Sequence, residues 1–355
     1  MTIAALVSGG VDSSVTIPVL KDMGYTPDIF YIKIALEGEP GFMDCPSEED
    51  IEITSYIAKK YGCRMEVVDL QEEYRDRVID YTLQTVRKGL TPNPDMMCNR
   101  LIKFGSFNSK FGKDYDRIST GHYATHVEKE GQLWLGTARD RKKDQTYFLG
   151  RITYEQLSKA MFPIGHMQKS EVRDKAAALK LPSAERPDSQ GICFLGKINY
   201  TQFIKKYTGE KPGRIVELET GRILGEHRGI WFHTIGQRKG LGLGQGPWFV
   251  VGKDTAENTL FVSNGYDPAS QYKKEIELED FSFINPGYDE KVPPEQEINF
   301  KIRHQPEFTP GMLIRRSQTH FTVQPLQPVS GVAPGQFGVI YDEDKTLCLG
   351  SGVIT

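Results

Sequence analysis

Two cysteines, one aspartate and one serine–glycine loop have the residue types and settings to carry chemistry. Cys98 follows Thr91-Pro92-Asn93-Pro94-Asp95-Met96-Met97. The two prolines fix φ and stiffen the approach to Asp95, which could act as a base or hold a substrate N–H. The spacing predicts a helix over Arg100–Phe107. A thiol at the start of a helix has a lowered pKa and more thiolate. Cys193 lies in Ser189-Gln190-Gly191-Ile192-Cys193-Phe194, after a polar turn. If the two thiols meet, one can carry a sulfur atom and the other release it by forming a disulfide. Two unrelated buried thiols are the alternative.

Ser8-Gly9-Gly10-Val11-Asp12-Ser13-Ser14 sits between an apolar run and a helical one. Glycines let backbone approach a ligand closely, and N–H groups at a helix start favour an anion. No Gly-Lys-Ser/Thr ending is present, which weakens a γ-phosphate transfer reading. Asp12 could hold Mg²⁺ or cap the helix.

Three further segments could meet a nucleic acid. Gly121-His122-Tyr123-Ala124 follows a strand, where doubly wound sheets place ligands. Arg139–Phe148 is a basic run ending in aromatics, suited to phosphates and unpaired bases. His233–Gly242 is a glycine-studded basic loop with Arg238 and Lys239.

These groups need a scaffold, and the chain alternates strand and helix signals across its first half. Strands are expected at Thr2–Val7, Asp28–Ile34, Arg64–Leu70 and Arg117–Thr120. Helices are expected over Asp12–Gly24, Ser47–Tyr61 and Tyr74–Lys88. That rhythm implies a doubly wound parallel sheet. After about residue 200 the texture becomes all-β, with strands expected at Arg214–Leu218, Thr259–Ser263, Glu275–Phe283, Glu297–Ile302, His320–Gln324 and Gly338–Tyr341. The expected division is an α/β catalytic domain over 1–200, a small central domain over 201–270 and a C-terminal β-barrel over 271–355. With 44 Lys+Arg against 47 Asp+Glu, a polycation binding nucleic acid by bulk charge is excluded, though a local basic face is not. No apolar run approaches the roughly 20 residues that cross a bilayer. With no export signal, the five cysteines are expected to be reduced thiols in a cytoplasm. Cys63 and Cys348 read as core and Cys45 as a loop residue; no C-x-x-C pair suggests a metal site.

In order, Ser8–Ser14, Thr91–Asp95, Cys98-Asn99, Gly121–Ala124, Lys143–Leu149, Ser189–Phe194, His233–Gly242 and Pro334-Gly335-Gln336 resemble the bacterial tRNA-specific 2-thiouridylase family, within the ATP pyrophosphatase superfamily. The resemblance implies a sulfurtransferase that uses ATP with Mg²⁺ as substrate and no tightly bound cofactor. It implies ATP contacts at Leu6, Val7, Ser8, Gly9, Gly10, Val11, Asp12, Ser13, Ile32 and Gly121. It implies that the wobble uridine of a tRNA meets Asn93, Pro94 and Asp95, with Asp95 the acid/base group. Cys193 would carry a persulfide loaded by a sulfur-relay protein, and Cys98 would resolve it by disulfide formation. His122, Lys143, Asp144, Gln145, Arg303, His304 and Gln336 would contact tRNA, and a monomer is expected. The chain departs from the family pattern at Leu6-Val7, at Gly191 and at His304. Three other readings stay open: another enzyme on the same loop, such as a 4-thiouridine synthase; a thiolase with an iron–sulfur cluster, using Cys45 as third ligand; and an inactive RNA-binding module.

Overall fold

The computed structural model describes residues 1–34, 47–188, 200–265 and 269–355. Cys45 and Cys193 both lie outside these segments.

The first strand, Ile3–Leu6, alternates its side chains between two cores. Ala4 and Leu6 join one cluster, Ile3 and Ala5 another. A strand apolar on both faces must be central and covered twice. It lies third in a sheet ordered Met65–Asp69, Asp28–Lys33, Ile3–Leu6, Arg117–Ser119, Ala160–Met161, every pairing parallel. The strand order reverses beside Ile3–Leu6, so the loops after it and after Arg117–Ser119 meet at one edge. Open α/β sheets bind ligands at such a switch point.

The helix Ser47–Tyr61 occupies the expected residues, and Gly62, at φ +62°, stops it. The region around Cys98 departs from expectation. Helix begins at Pro94, capped by the Asn93 side chain, which accepts from the Met96 N–H at 3.1 Å. It continues through wide π-helical turns over Asn99–Ser106 and Asn108–Gly112. Cys98 therefore ends the first α-helical stretch and does not begin a helix, so a thiolate favoured by a helix N-terminus does not apply there. Inserted side chains accompany the widened turns: Gln156 Nε2 donates to the carbonyls of Arg100 at 2.8 Å and Phe104 at 3.2 Å.

The middle region forms a four-stranded sheet ordered Trp248–Asp254, Thr259–Asn264, Gly213–Glu217, Ile223–His227. Its core holds Ile215, Trp248, Val250, Leu260 and Val262. The C-terminal region is a closed antiparallel barrel of six strands: Ile276–Phe283, Phe321–Pro325, Thr309–Arg315, Glu295–Lys301, Phe337–Tyr341 and Leu347–Ile354, the last pairing back to the first.

One hairpin joins the α/β unit to the barrel. Thr125–Lys129 and Gln132–Gly136 pair across a turn with Glu130 at φ 55° and Gly131 at φ 72°. Positive φ at both central turn residues suits a tight hairpin. Its second strand extends the barrel sheet, Leu347 opposite Gly136 and Cys348 opposite Leu135. Phe337, Val339, Tyr341 and Cys348 of the barrel join the same core cluster as Phe104 and Phe107. The barrel thus shares a core with the α/β unit.

The hairpin carries a pH-sensitive group. Burial, followed by the charges of Arg117 and His166, lowers His126 from 6.5 to about 4. Its Nε2 is buried without a hydrogen-bond partner, and its ring packs edge-on to Phe162 at 5.3 Å. An unfolded chain binds this proton near pH 6.5, the folded one only near 4. Stability is therefore complete above pH 6.5 and falls as pH drops towards 4. His126→Phe is expected to remove on the order of 2 kcal/mol of acid sensitivity, measured as a flatter melting temperature between pH 7 and 4.5.

Candidate active site

The loop Ser8–Ser14 presents mostly backbone. Ser8 is exposed, whereas Leu6, Val7, Gly9 and Val11 are buried, so these four would meet a ligand chiefly through main-chain atoms. Gly10 is extended and caps the helix Val11–Asp22 without a side-chain bond. Ser13 Oγ and Ser14 Oγ donate to the Gly10 carbonyl at 3.1 and 2.7 Å, and the Ser8 N–H donates to Ser13 Oγ at 3.1 Å. Gly9 has φ +74°, and a Cβ there would stand 2.8 Å from Asp50 Cα. Gly121 arrives from the neighbouring loop, where a Cβ would lie 2.7 Å from the Ser13 nitrogen. Two loops from adjacent strands thus meet at the start of one helix. Ile32 is half-buried, one residue before the end of the second strand.

Charged side chains surround this edge. Asp12 accepts from Lys169 Nζ at 2.6 and 2.8 Å and from the Tyr123 hydroxyl at 2.8 Å. Lys169 also reaches Asp188 at 2.9 Å, where Lys143 joins at 2.7 Å and Arg173 at 2.5 Å. Burial alone would raise the Asp188 carboxyl, but bonds to Lys143, Lys169 and Arg173 hold it well below the usual carboxylate range. Burial, then the Asp12 charge, pushes the Tyr123 hydroxyl far up, so it stays a donor. Arg186 donates to the Gly9 carbonyl at 3.1 Å and pairs with Glu49 and Asp50.

A second feature is a cleft of about 470 Å³ where all three regions converge. The α/β unit supplies Asn93, Pro94, Asp95 and Phe148, the middle region Trp231 and His233, and the barrel His304 and Gln336. Asp95 stands in the first turn of the helix that ends at Cys98. Residues three apart share a helix face, so the carboxylate and the thiol lie on one side of this turn. Cys98 itself is 2% exposed. Burial lowers His233 to about 4, aided by His227 and Lys253, so its ring is neutral at ordinary pH.

Gln336 clamps the barrel onto the Pro-rich segment. Its amide donates to the Pro92 carbonyl at 2.6 Å, and its oxygen accepts from Asn93 Nδ2 and the Tyr147 hydroxyl, both at 3.3 Å. Gly335 lies so close that a Cβ would meet the Thr91 backbone at 2.9 Å. Gln336→Ala takes the donor from the Pro92 carbonyl, while Asn93 Nδ2 keeps the Tyr147 hydroxyl and that hydroxyl keeps the Ile302 and Phe337 carbonyls, an expected loss of about 1 kcal/mol. The check is denaturant unfolding beside tRNA affinity, both of which should fall.

The expected tRNA contacts divide into exposed and buried groups. Arg303 is exposed, and Lys143 is half-exposed on Asp188. His304 is exposed and stacks on Phe148, ring centroids 4.7 Å apart, so histidine here still presents a flat ring at the cleft wall. Burial lowers the His304 pKa against a bond to the Asp144 carbonyl. Gln145 accepts from the Tyr123 N–H at 3.0 Å and thereby joins the two loops. His122 is 9% exposed, its Nδ1 2.8 Å from Thr120 Oγ1; burial, then Lys103, keeps it neutral. Asp144 is 1% exposed, accepts from the Ala138 N–H at 2.7 Å and Thr146 Oγ1 at 2.6 Å, and lies 3.6 Å from the buried Lys301. In this conformation Asp144 supports the fold and offers no open face to RNA.

Sequence reasoning singled out neither Lys169, Arg173, Arg186 and Asp188 nor Trp231. Lys169 lies 157 residues from Asp12, and no local pattern marks it. Cys63 is half-buried and Cys348 buried, as core thiols. Among the described residues no helix is long and apolar enough to cross a membrane.

Three family models tile the chain: "tRNA methyl transferase HUP domain" over 1–197, "tRNA methyl transferase PRC-barrel domain" over 201–264 and "Aminomethyltransferase beta-barrel domain" over 273–354. A protein of Parabacteroides distasonis named "tRNA-specific 2-thiouridylase MnmA" is 62% identical, covering 100% of this chain and 99% of its own. One of the same name from Porphyromonas gingivalis is 58% identical with the same coverage. "tRNA-specific 2-thiouridylase MnmA 1" of Bacteroides thetaiotaomicron is 55% identical over the whole of both chains. A glycine–serine loop at the switch point, a cleft shared by three regions and full-length identity of this degree agree, and the chain belongs to the tRNA-specific 2-thiouridylase family.

Proposed function

We propose that this protein is an ATP-dependent tRNA sulfurtransferase that places sulfur on C2 of the wobble uridine. The observation that carries the reading is the cleft itself: Asn93–Asp95, the stacked Phe148 and His304, and Gln336 converge one helical turn from Cys98. The flipped base enters this cleft, as chemistry on a base requires. Asn93 and Pro94 contact it, and Asp95 manages the N3 proton.

ATP lies along Leu6–Ser13, with Ile32 and Gly121 near the adenosine and Mg²⁺ accompanying the phosphates. Uracil O2 attacks the α-phosphorus and pyrophosphate leaves. The terminal sulfur of a Cys193 persulfide then attacks C2, and AMP departs with O2. The Cys98 thiolate attacks Cys193 Sγ, which breaks the sulfur–sulfur bond to the uracil, frees 2-thiouridine and leaves a Cys98–Cys193 disulfide. A dithiol reductant resets the enzyme, and a persulfide-carrying protein reloads Cys193. Lys143, Arg303 and His304 hold the RNA at the rim, with His122, Asp144 and Gln145 supporting the loops behind them. The protein acts as a cytoplasmic monomer, its domains divided near 200 and 270.

The test is product stoichiometry. Unmodified tRNA, ATP, Mg²⁺ and a persulfide donor should yield AMP and pyrophosphate in equal amounts, both dependent on tRNA. Release of ADP and orthophosphate would overturn the reading.

A further inference from the structure

We propose that Lys169 is the side-chain cation that binds the departing pyrophosphate in this site. The inference rests on the ATP reading above and deepens it. The loop Ser8–Ser14 contains no lysine or arginine. It offers N–H groups and hydroxyls, and two of those hydroxyls already donate to the Gly10 carbonyl. It also carries Asp12, whose negative charge opposes a polyphosphate in the first turn of the helix. Beyond the Mg²⁺ that accompanies the phosphates, a side-chain cation must therefore come from outside the loop to balance Asp12 and meet the charge that grows on the leaving group.

The surrounding cations differ in how far they are committed. Arg173 is spent on the carbonyls of Ala184 and Arg186 as well as Asp188. Arg186 is spent on the Gly9 carbonyl, Glu49 and Asp50. Lys143 is the more exposed lysine, its side chain 42% accessible. The Lys169 side chain is 12% accessible and, among the described residues, is the cation paired with Asp12. Its second partner, Asp188, is oversupplied, since Lys143, Lys169 and Arg173 all pair with it. Asp188 can therefore release Lys169 and keep two cations. Lys169 then exchanges Asp188 for a phosphate oxygen without leaving Asp12. A lysine placed inside the loop in other phosphate sites is here delivered by a separate helix, Lys169–Ala178.

The test is calorimetric titration of the full chain with inorganic pyrophosphate, using AMP as the control ligand. Lys169→Gln is expected to weaken pyrophosphate at least tenfold and AMP less than twofold, and Lys169→Arg to recover most of the loss. Asp188→Asn, which frees Lys169 without removing it, is expected to tighten pyrophosphate, and the double variant with Lys169→Gln to lose that gain. Circular dichroism checks that each variant is folded. Pyrophosphate binding within twofold of wild type in Lys169→Gln would overturn the proposal. So would equal weakening of both ligands, which marks a strut, or no pyrophosphate binding by the wild type. Should Lys169→Gln not fold, unchanged binding in Asp188→Asn overturns it instead. Thiolation is assayed on the same preparations. Lys169-dependent pyrophosphate binding in a protein that does not thiolate tRNA would keep this proposal and remove the functional reading.

Discussion

Cys98→Ser protein is expected to consume ATP on tRNA once and release no 2-thiouridine. A serine hydroxyl is not ionised near neutral pH and forms no disulfide, so the final bond exchange has no nucleophile. The uracil should remain joined to Cys193 through two sulfurs. Without added thiol this appears as a protein–tRNA adduct on a non-reducing gel, and dithiothreitol should release thiolated tRNA from it. Cys193→Ser should give no adduct at all. Cys98 is 2% exposed within the apolar core, so a serine there would bury a hydroxyl. Cys98→Ala, which buries no hydroxyl, is therefore the companion variant and should behave alike. Undiminished product from either Cys98 variant would remove this thiol from the mechanism.

Gly121→Ala is expected to lower thiolation by about 100-fold or more, because displacement of a reacting group by about 1 Å costs that much. The added methyl would stand 2.7 Å from the Ser13 nitrogen and 2.9 Å from Ser13 Cα and the Asp12 carbonyl carbon. All three are backbone atoms at the start of the helix Val11–Asp22, so no side chain can turn aside. The two loops must separate, and the proposed ATP site opens between them. The loss should fall on ATP affinity and the rate of activation, leaving tRNA affinity close to wild type. Filter binding of tRNA beside AMP release distinguishes the two, and an alanine variant with wild-type AMP release would show that the loops need not touch.

How much was legible in the sequence followed from the range of each interaction. The phosphate loop was readable because its logic is local: a strand, two glycines, then a helix. Ser47–Tyr61 was readable to the residue because three apolar positions share one face and Gly62 ends it. The barrel was readable as texture, but two of its six strands were not, Thr309–Arg315 and Leu347–Ile354, which contain proline or glycine. The hairpin Thr125–Gly136 has a good turn signal in Glu130-Gly131, yet its partner strand lies more than two hundred residues away. No local pattern predicts that pairing. The π-helical turns after Cys98 are propped by Gln156, a side chain from another helix that no local pattern shows. The basic run Arg139–Phe148 suits RNA by composition, but Asp144 within it turns inward to Lys301 while Phe148 reaches the cleft. Composition marks such a run as polar and says nothing about which side chains face inward. Family resemblance supplied roles for residues, and the fold supplied what resemblance could not: the charge network of Lys169 and Asp188.

The most direct measurement is nucleoside mass spectrometry of tRNA after reaction. Unmodified tRNA bearing a wobble uridine is incubated with the protein, ATP, Mg²⁺ and a persulfide donor, then digested, with Cys98→Ser, Cys193→Ser and ATP-free reactions alongside. The account predicts one oxygen replaced by sulfur on that uridine, in the wild-type reaction with ATP alone. Sulfur gain without ATP, or gain that survives Cys193→Ser, would contradict it.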